Sequence, residues 1–244
     1  MSSPATRWFA DLHTHSRGSF DSLASPEALL RTAAQRGLTH LAITDHDRID
    51  AALQARAIAA TGATPVRVIV GEEIKTLDGD LVALFLEEAI PPGLSAEDTI
   101  AAVRAQGGLI GIPHPFDRYR RSLLKDARME RLVGLVDWVE AHNARVMFGN
   151  GNLQAAELAH EHGKPGIAVS DAHSAFEVGV AYTAFDADPS TAAGLLAALP
   201  TAELVLGRAS LYVRLWTPVA KAVQRARGNR RVLPPSDHSM PVGR

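Results

Sequence analysis

Six short stretches of the chain place histidine and carboxylate at spacings that suit a metal centre: Asp11-Leu12-His13-Thr14-His15, Thr44-Asp45-His46-Asp47, Gly71-Glu72-Glu73, Pro113-His114-Pro115, Glu140-Ala141-His142-Asn143 and Ser170-Asp171-Ala172-His173. These residue types hold zinc, manganese or iron without thiolates, and the 244 residues include no cysteine. In an extended segment alternate side chains point the same way, so His13 and His15 are able to reach one ion. With Asp21 on the loop after the first motif, the candidate ligands are His13, His15, Asp21, His46, Glu73, His114, Asp171 and His173. Eight ligands exceed what one ion needs. They suit two or three divalent ions (Mn, Fe or Zn), with a bridging carboxylate, a metal-bound hydroxide as nucleophile and another ion clamping the leaving group. Taken singly, Asp45-His46-Asp47 also reads as acids at a helix N-terminus and Glu72-Glu73 as a solvated loop. His40, His142, His160, His162 and His238 read as surface or satisfied core residues.

What must position these side chains is a set of short apolar runs, each closed by one of the motifs. The runs cover residues 8–12, 41–44, 66–70, 81–86, 109–112, 136–139 and 167–169, with a weaker one at 178–185. Helical stretches alternate with them. Ser25-Pro26 reads as an N-cap with proline at the first helical position, ending at Gly37. Ser95 with Asp98 repeats the device before Gly107-Gly108. Further helices are expected over 50–60, 122–133, 152–162 and 190–198. Alternating strands and helices give an α/β chain. In a barrel of parallel strands the C-terminal ends share one rim, which gathers residues far apart in sequence into one pocket.

Composition narrows the function classes. Twenty-five Lys and Arg against 27 Asp and Glu give a net charge of −2, which excludes a general electrostatic grip on nucleic acid or anionic membrane and leaves nucleic acid as a partner without support from charge. The N-terminus lacks an apolar segment of the signal-peptide kind, and no apolar run approaches the roughly 18 residues of a membrane span. A cytoplasmic protein is expected. Residues 1–224 read as a single barrel domain, and 225–244, rich in Arg, Gly, Asn and Pro, as a disordered, mildly basic tail.

On its motifs D-L-H-T-H (Asp11 to His15, with Asp21 six residues on), T-D-H-D (Thr44 to Asp47), the Glu73 of G-E-E and S-D-A-H (Ser170 to His173), the chain resembles the PHP-domain (polymerase and histidinol phosphatase) superfamily over about residues 9–184. The resemblance implies a distorted (β/α)7 barrel with a two- or three-metal cluster at the C-terminal rim, and phosphoester hydrolysis. It implies one ion on His13, His15, Glu73 and Asp171, a second bridged by Glu73 to His114, and a third on Asp21, His46 and His173. The nucleophilic water would be held by Glu73, Asp171 and His173. Many family members carry a histidine where this chain has Gly79-Asp80-Leu81. Asp80 is therefore an additional candidate ligand, and as a harder donor than imidazole it would shift preference from zinc towards manganese.

The expected function is a metal-dependent phosphoric ester hydrolase, a phosphatase or phosphoesterase acting on a phosphorylated small molecule, nucleotide or short oligonucleotide. Arg118, Arg120 and Asn143 are the candidate substrate-binding residues, arginine forks being suited to phosphate oxygens, while Arg121 reads also as a solvated helix residue. The alternative is a non-catalytic, metal-stabilised PHP module associated with nucleic-acid machinery, against which the near-complete ligand list argues. An amidohydrolase would often want a bridging modified lysine, and none of Lys75, Lys125, Lys164 and Lys221 directly closes an apolar run.

Overall fold

The computed structural model describes residues 7–117, 127–146 and 148–231. Nine strands form one sheet: β1 (Trp8–Asp11), β2 (His40–Ile43), β3 (Arg67–Lys75), β4 (Asp80–Leu84), β5 (Leu109–Ile112), β6 (Trp138–Asn143), β7 (Gly166–Val169), β8 (Tyr182–Phe185) and β9 (Glu203–Val205), in the order β7-β6-β5-β4-β3-β2-β1-β8-β9. The sheet curls until its ends almost meet. Thr14 pairs with Ala172 beyond β1 and β7, and the Thr183 hydroxyl of β8 binds both the N–H and the C=O of Ala168 in β7. Helices α1 (Pro26–Gln35), α2 (Asp50–Ala60), α3 (Ala96–Ala105), α4 (Ala127–Leu135), α5 (Gly151–Glu161), α6 (Ala192–Ala198) and α7 (Leu211–Ala226) follow in order. None of the described helices is long and apolar enough to cross a membrane.

The expected N-caps form. Ser25 accepts from Ala28 N with Pro26 at the first turn, and Ser95 accepts from Asp98 N, each cap stabilising its helix by about 1 kcal/mol. Alternate strand residues divide between two apolar layers. Leu41, Ile43, Val70, Ile74, Leu81 and Ile110 pack with the helix residues Leu29, Val103 and Leu132. Ala42, Ile69, Val82, Leu84, Trp138 and Ile167 make the second cluster inside the barrel. Each fully buried Leu or Ile stabilises the fold by about 1.5–3 kcal/mol. Gly111 is required there, because a Cβ would lie 2.1 Å from the Trp138 indole nitrogen.

The barrel is not all parallel. β4 runs antiparallel to both β3 and β5, and β8 antiparallel to β1. The cause is the tight connection between β3 and β4, where Thr76 N donates to Gly79 O and Gly79 takes φ 137°, leaving no room for a crossover helix. The reversed strand puts its first residue, Asp80, at the rim where its neighbours end.

The C-terminal boundary also moves. The chain is helical to Ala226 in α7, and Asn229 and Arg231 contact the barrel, so residues 225–231 are not a free tail. Residues 232–244 lie outside the described ones, as does the start of the helix expected from Ser122.

Candidate metal centre

The first motif divides its labour. Asp11, fully buried at the end of β1, accepts from Ser170 N (3.1 Å) and Gly179 N (2.8 Å), tying β1 to the chain after β7; burial pushes its carboxyl up to about 6. His13 and His15 lie beyond it, with their Nε2 atoms 3.0 Å apart. His13 is aimed by its other nitrogen, since Nδ1 lies 2.6 Å from Glu140 Oε1. Glu140 is interior because it follows Trp138 by two residues on β6.

Glu73 stands at the middle of the cluster. Its Oε2 is 3.4 Å from His13, 3.3 Å from His15 and 3.2 Å from His46, and its Oε1 is 3.5 Å from His114. Asp171 Oδ1 is 3.5 Å from His15 Nε2 and 3.4 Å from His173 Nδ1. Asp21 Oδ2 is 3.5 Å from His46 and 3.3 Å from His173. All eight residues named from the sequence therefore converge. They form two overlapping groups, His15 with Asp21, His46 and His173, and His13 with His15 and Asp171, whose ligand atoms lie within 4.8 Å of one another.

These spacings fit divalent ions. A ligand shell of radius about 2.1 Å holds neighbouring ligands about 3.0–3.4 Å apart, the range seen among His13, His15 and Glu73. Protonation fits as well. Burial and the neighbouring imidazoles His173, His46 and His13 push His15 well below its usual range, keeping it neutral. Against the opposing effect of burial, His46 and the other histidines hold Glu73 well below the ordinary carboxylate range, and His173 and His46 do the same for Asp21. His114 and Asp171, with Asp47 beside them, take positive φ of 28°, 53° and 55°; strained backbone gathers where a site over-determines it.

The acids flanking these ligands do structural work. Asp45 accepts from Ser16 N (2.6 Å) and the Ser16 hydroxyl. A Cβ on Gly18 would fall 2.5 Å from Asp45 Oδ2, so this loop needs glycine. Glu72 points away from Glu73 into the outer apolar layer, accepting only from Ile90 N (2.8 Å), and burial pushes it up to about 8.

Three expectations are corrected. Asp80 is not turned to the cluster: its carboxylate takes Lys75 Nζ at 3.0 Å and both Arg231 terminal nitrogens at 2.8 and 3.2 Å. The inferred manganese preference loses its premise. Lys75 does close a strand, being the last residue of β3, but it is committed to Asp80. Asn143 is fully buried, donating to Glu140 Oε2 (2.9 Å) and Asp171 Oδ2 (3.0 Å), so it orients ligands and cannot meet substrate. Arg118, Arg120 and Arg121 lie outside the described residues.

The cations that the structure does bring to the mouth went unread in the sequence. A cavity of about 190 Å³ opens beside Asp21, His46, Glu73 and His173, with Arg145, Lys221 and Arg231 in its wall. Arg145, two residues past Asn143, donates to Thr217 Oγ1 (2.7 Å). Arg231 also approaches Asp47 (3.5 Å) and lies against the Phe20 ring. The Gln224 amide of α7 reaches the carbonyls of Arg17 (2.7 Å), Ser19 (2.9 Å) and Ser22 (2.7 Å), fastening the loop that carries Asp21. Strand-end position could have signalled Glu140 and Arg145; nothing local signals Arg231.

An α/β barrel with histidines and carboxylates gathered at one rim defines the class. The PHP-domain model matches residues 11–136 and the PHP-associated model residues 149–203, and the chain belongs to the PHP-domain family. It is 35% identical over 218 residues to an uncharacterized protein of Methanocaldococcus jannaschii, covering 84% of this chain and 86% of that one. Its fold is similar to a two-domain protein from Bacteroides vulgatus containing a predicted PHP-like metal-dependent phosphoesterase, with TM-score 0.70 and 19% identity over 83% of this chain. It is similar also to the lesion-specific endonuclease PfuEndoQ from Pyrococcus furiosus, with TM-score 0.59 and 17% identity over 82% of this chain. The chain spans 65% and 58% of the length of those two structures.

Proposed function

We propose that the protein is a metal-dependent phosphoesterase that hydrolyses a phosphorylated small molecule, nucleotide or short oligonucleotide. One observation carries this reading: eight metal-type ligands converge beside a mouth walled by Arg145, Lys221 and Arg231. His13, His15, Glu73, His114 and Asp171 would hold one part of a divalent cluster, and Asp21, His46 and His173 the other. When bound, such ions supply Lewis-acid polarisation of a phosphoryl oxygen and lower the pKa of water.

The chain's own residues do the rest. Glu140 and Asn143 fix His13 and Asp171, so the ligands need no rearrangement on binding. Arg231 and Lys221 meet the phosphoryl oxygens and offset charge gathering on them during attack. Arg118 and Arg120, which follow His114 in sequence, are further candidates for the same contact.

The experiment is a screen of purified protein, reconstituted with manganese, iron or zinc, against phosphomonoesters, nucleotides and short oligonucleotides, with His15→Ala and Asp171→Ala beside it. Turnover that both substitutions abolish, with circular dichroism unchanged, supports the reading. Either variant keeping activity within about tenfold of wild type, a barrier change of only about 1.4 kcal/mol, overturns it.

A further inference from the structure

Helix α7 is amphipathic the wrong way round. Its barrel-facing side carries the buried Ala220 and Gln224, while its large apolar side chains face solvent: Tyr212 is 83% exposed and Leu215 71%, with Trp216 and Val219 about half exposed. Packing does not account for these residues. Together with Phe176, itself 82% exposed, they wall an apolar groove of about 380 Å³.

The groove adjoins the metal centre on three sides. Phe176 comes three residues after His173, Leu23 two after Asp21, and Thr217 and Lys221, on the next turns of α7, line the mouth. At 1.5 Å per residue, Trp216 and Tyr212 stand about 7.5 and 13.5 Å along the helix axis from Lys221. Charge runs the same way. Residues 204–231 contain seven Lys and Arg and no Asp or Glu, although the whole chain is at −2.

Exposed aromatic rings that alternate with cations are what single-stranded nucleic acid requires: bases stack on the rings and the basic residues track the backbone. We infer that this groove binds the bases of a short single-stranded nucleic acid whose terminal phosphate enters the metal centre, an inference that rests on the phosphoester reading above. A concave slot between Phe176 and Trp216 suits flat bases better than a bilayer surface, which also attracts basic and aromatic helices.

The test reads binding. The metal-loaded full chain is titrated into a 3′-fluorescein, 5′-phosphorylated oligo(dT) decamer with phosphorothioate linkages, and anisotropy is followed at 50 and 200 mM NaCl. The expected results are binding that weakens with salt and a 10- to 100-fold loss in the Tyr212→Ala/Trp216→Ala double variant. Equal affinity in the variant, or no binding by wild type, overturns the inference; so does binding to phosphatidylglycerol vesicles in place of the decamer. Failure of the phosphoester reading shows up separately, as absence of p-nitrophenyl phosphate hydrolysis by the wild-type protein.

Discussion

Replacing Glu140 by Gln keeps the shape of the side chain and removes one acceptor. In the wild type Oε1 faces His13 Nδ1 at 2.6 Å, and Oε2 accepts from His114 N (3.0 Å) and Asn143 Nδ2 (2.9 Å). A carboxamide has one oxygen and one NH2. With its NH2 on the second side it would meet two N–H donors, so the cheaper arrangement turns NH2 towards His13. Nδ1 must then accept, and the ring proton moves to Nε2, the atom that faces His15 and Glu73. A protonated Nε2 cannot ligate. Losing one buried charge-assisted hydrogen bond is worth about 1.5–3 kcal/mol, or roughly 10- to 150-fold in metal affinity.

The pH dependence of metal binding should change too. Burial opposes charge on His13, but Glu140 and Glu73 outweigh it and hold the imidazole up at about 10 in the metal-free protein. A metal must therefore displace a proton, so wild-type affinity rises with pH through the neutral range. Without the Glu140 charge His13 loses its proton at lower pH, and that slope flattens. The measurement is competition with a chromophoric chelator for zinc and manganese from pH 6 to 9, with melting curves as a control. Affinity within about twofold of wild type and an unchanged slope would show that Glu140 does not set the state of His13.

Other expectations follow from neighbouring contacts. Arg231→Ala should lower kcat/KM for a phosphoester roughly 10- to 1,000-fold with metal content intact, the scale of one charge-assisted contact; unchanged kinetics would reduce Arg231 to a structural partner of Asp80. Asp80→Asn should leave metal stoichiometry and zinc-versus-manganese preference as they are while mimicking part of the Arg231→Ala loss, and a changed ion count by elemental analysis would return Asp80 to the ligand set. Glu72 is the reverse of an ordinary acid. Its folded pKa of about 8 lies above the model value of 4.5, so the fold binds an extra proton and loses stability as pH rises through that window. Glu72→Gln, still accepting from Ile90 N, should therefore gain on the order of 1–4 kcal/mol over wild type at pH 8.5 and little at pH 5; equal melting shifts at both pH values would place the charge elsewhere.

How legible the site was depended on whether a residue's role was local. His13, His15, His46, Glu73, His114, Asp171 and His173 were readable because each sits at a strand end, a position set by the few residues before it. The direction of β4 was not, since an apolar run such as 81–86 reads the same in either sense; only the short turn at Thr76–Gly79 decides it. Asn143 was misread because an exposed strand end and a buried one share the same local sequence. Arg231 was hidden for a different reason. The face of α7 that packs on the barrel is built from Ala220 and Gln224, which give no apolar stripe to detect, and the helix that delivers Arg231 therefore passed as irregular chain.

The Gln224 fastening has a consequence for how the molecule opens. Its three carbonyl partners lie more than two hundred residues back along the chain, in the segment that holds Asp21. Fraying of the end of α7 would release that segment and Arg231 together, so the ion-holding and anion-holding halves of the pocket would be lost in one event and not separately. The backbone amides of Arg17 and Ser19 should then exchange with solvent at the rate at which α7 detaches. That rate would also set how fast the pocket can surrender an ion.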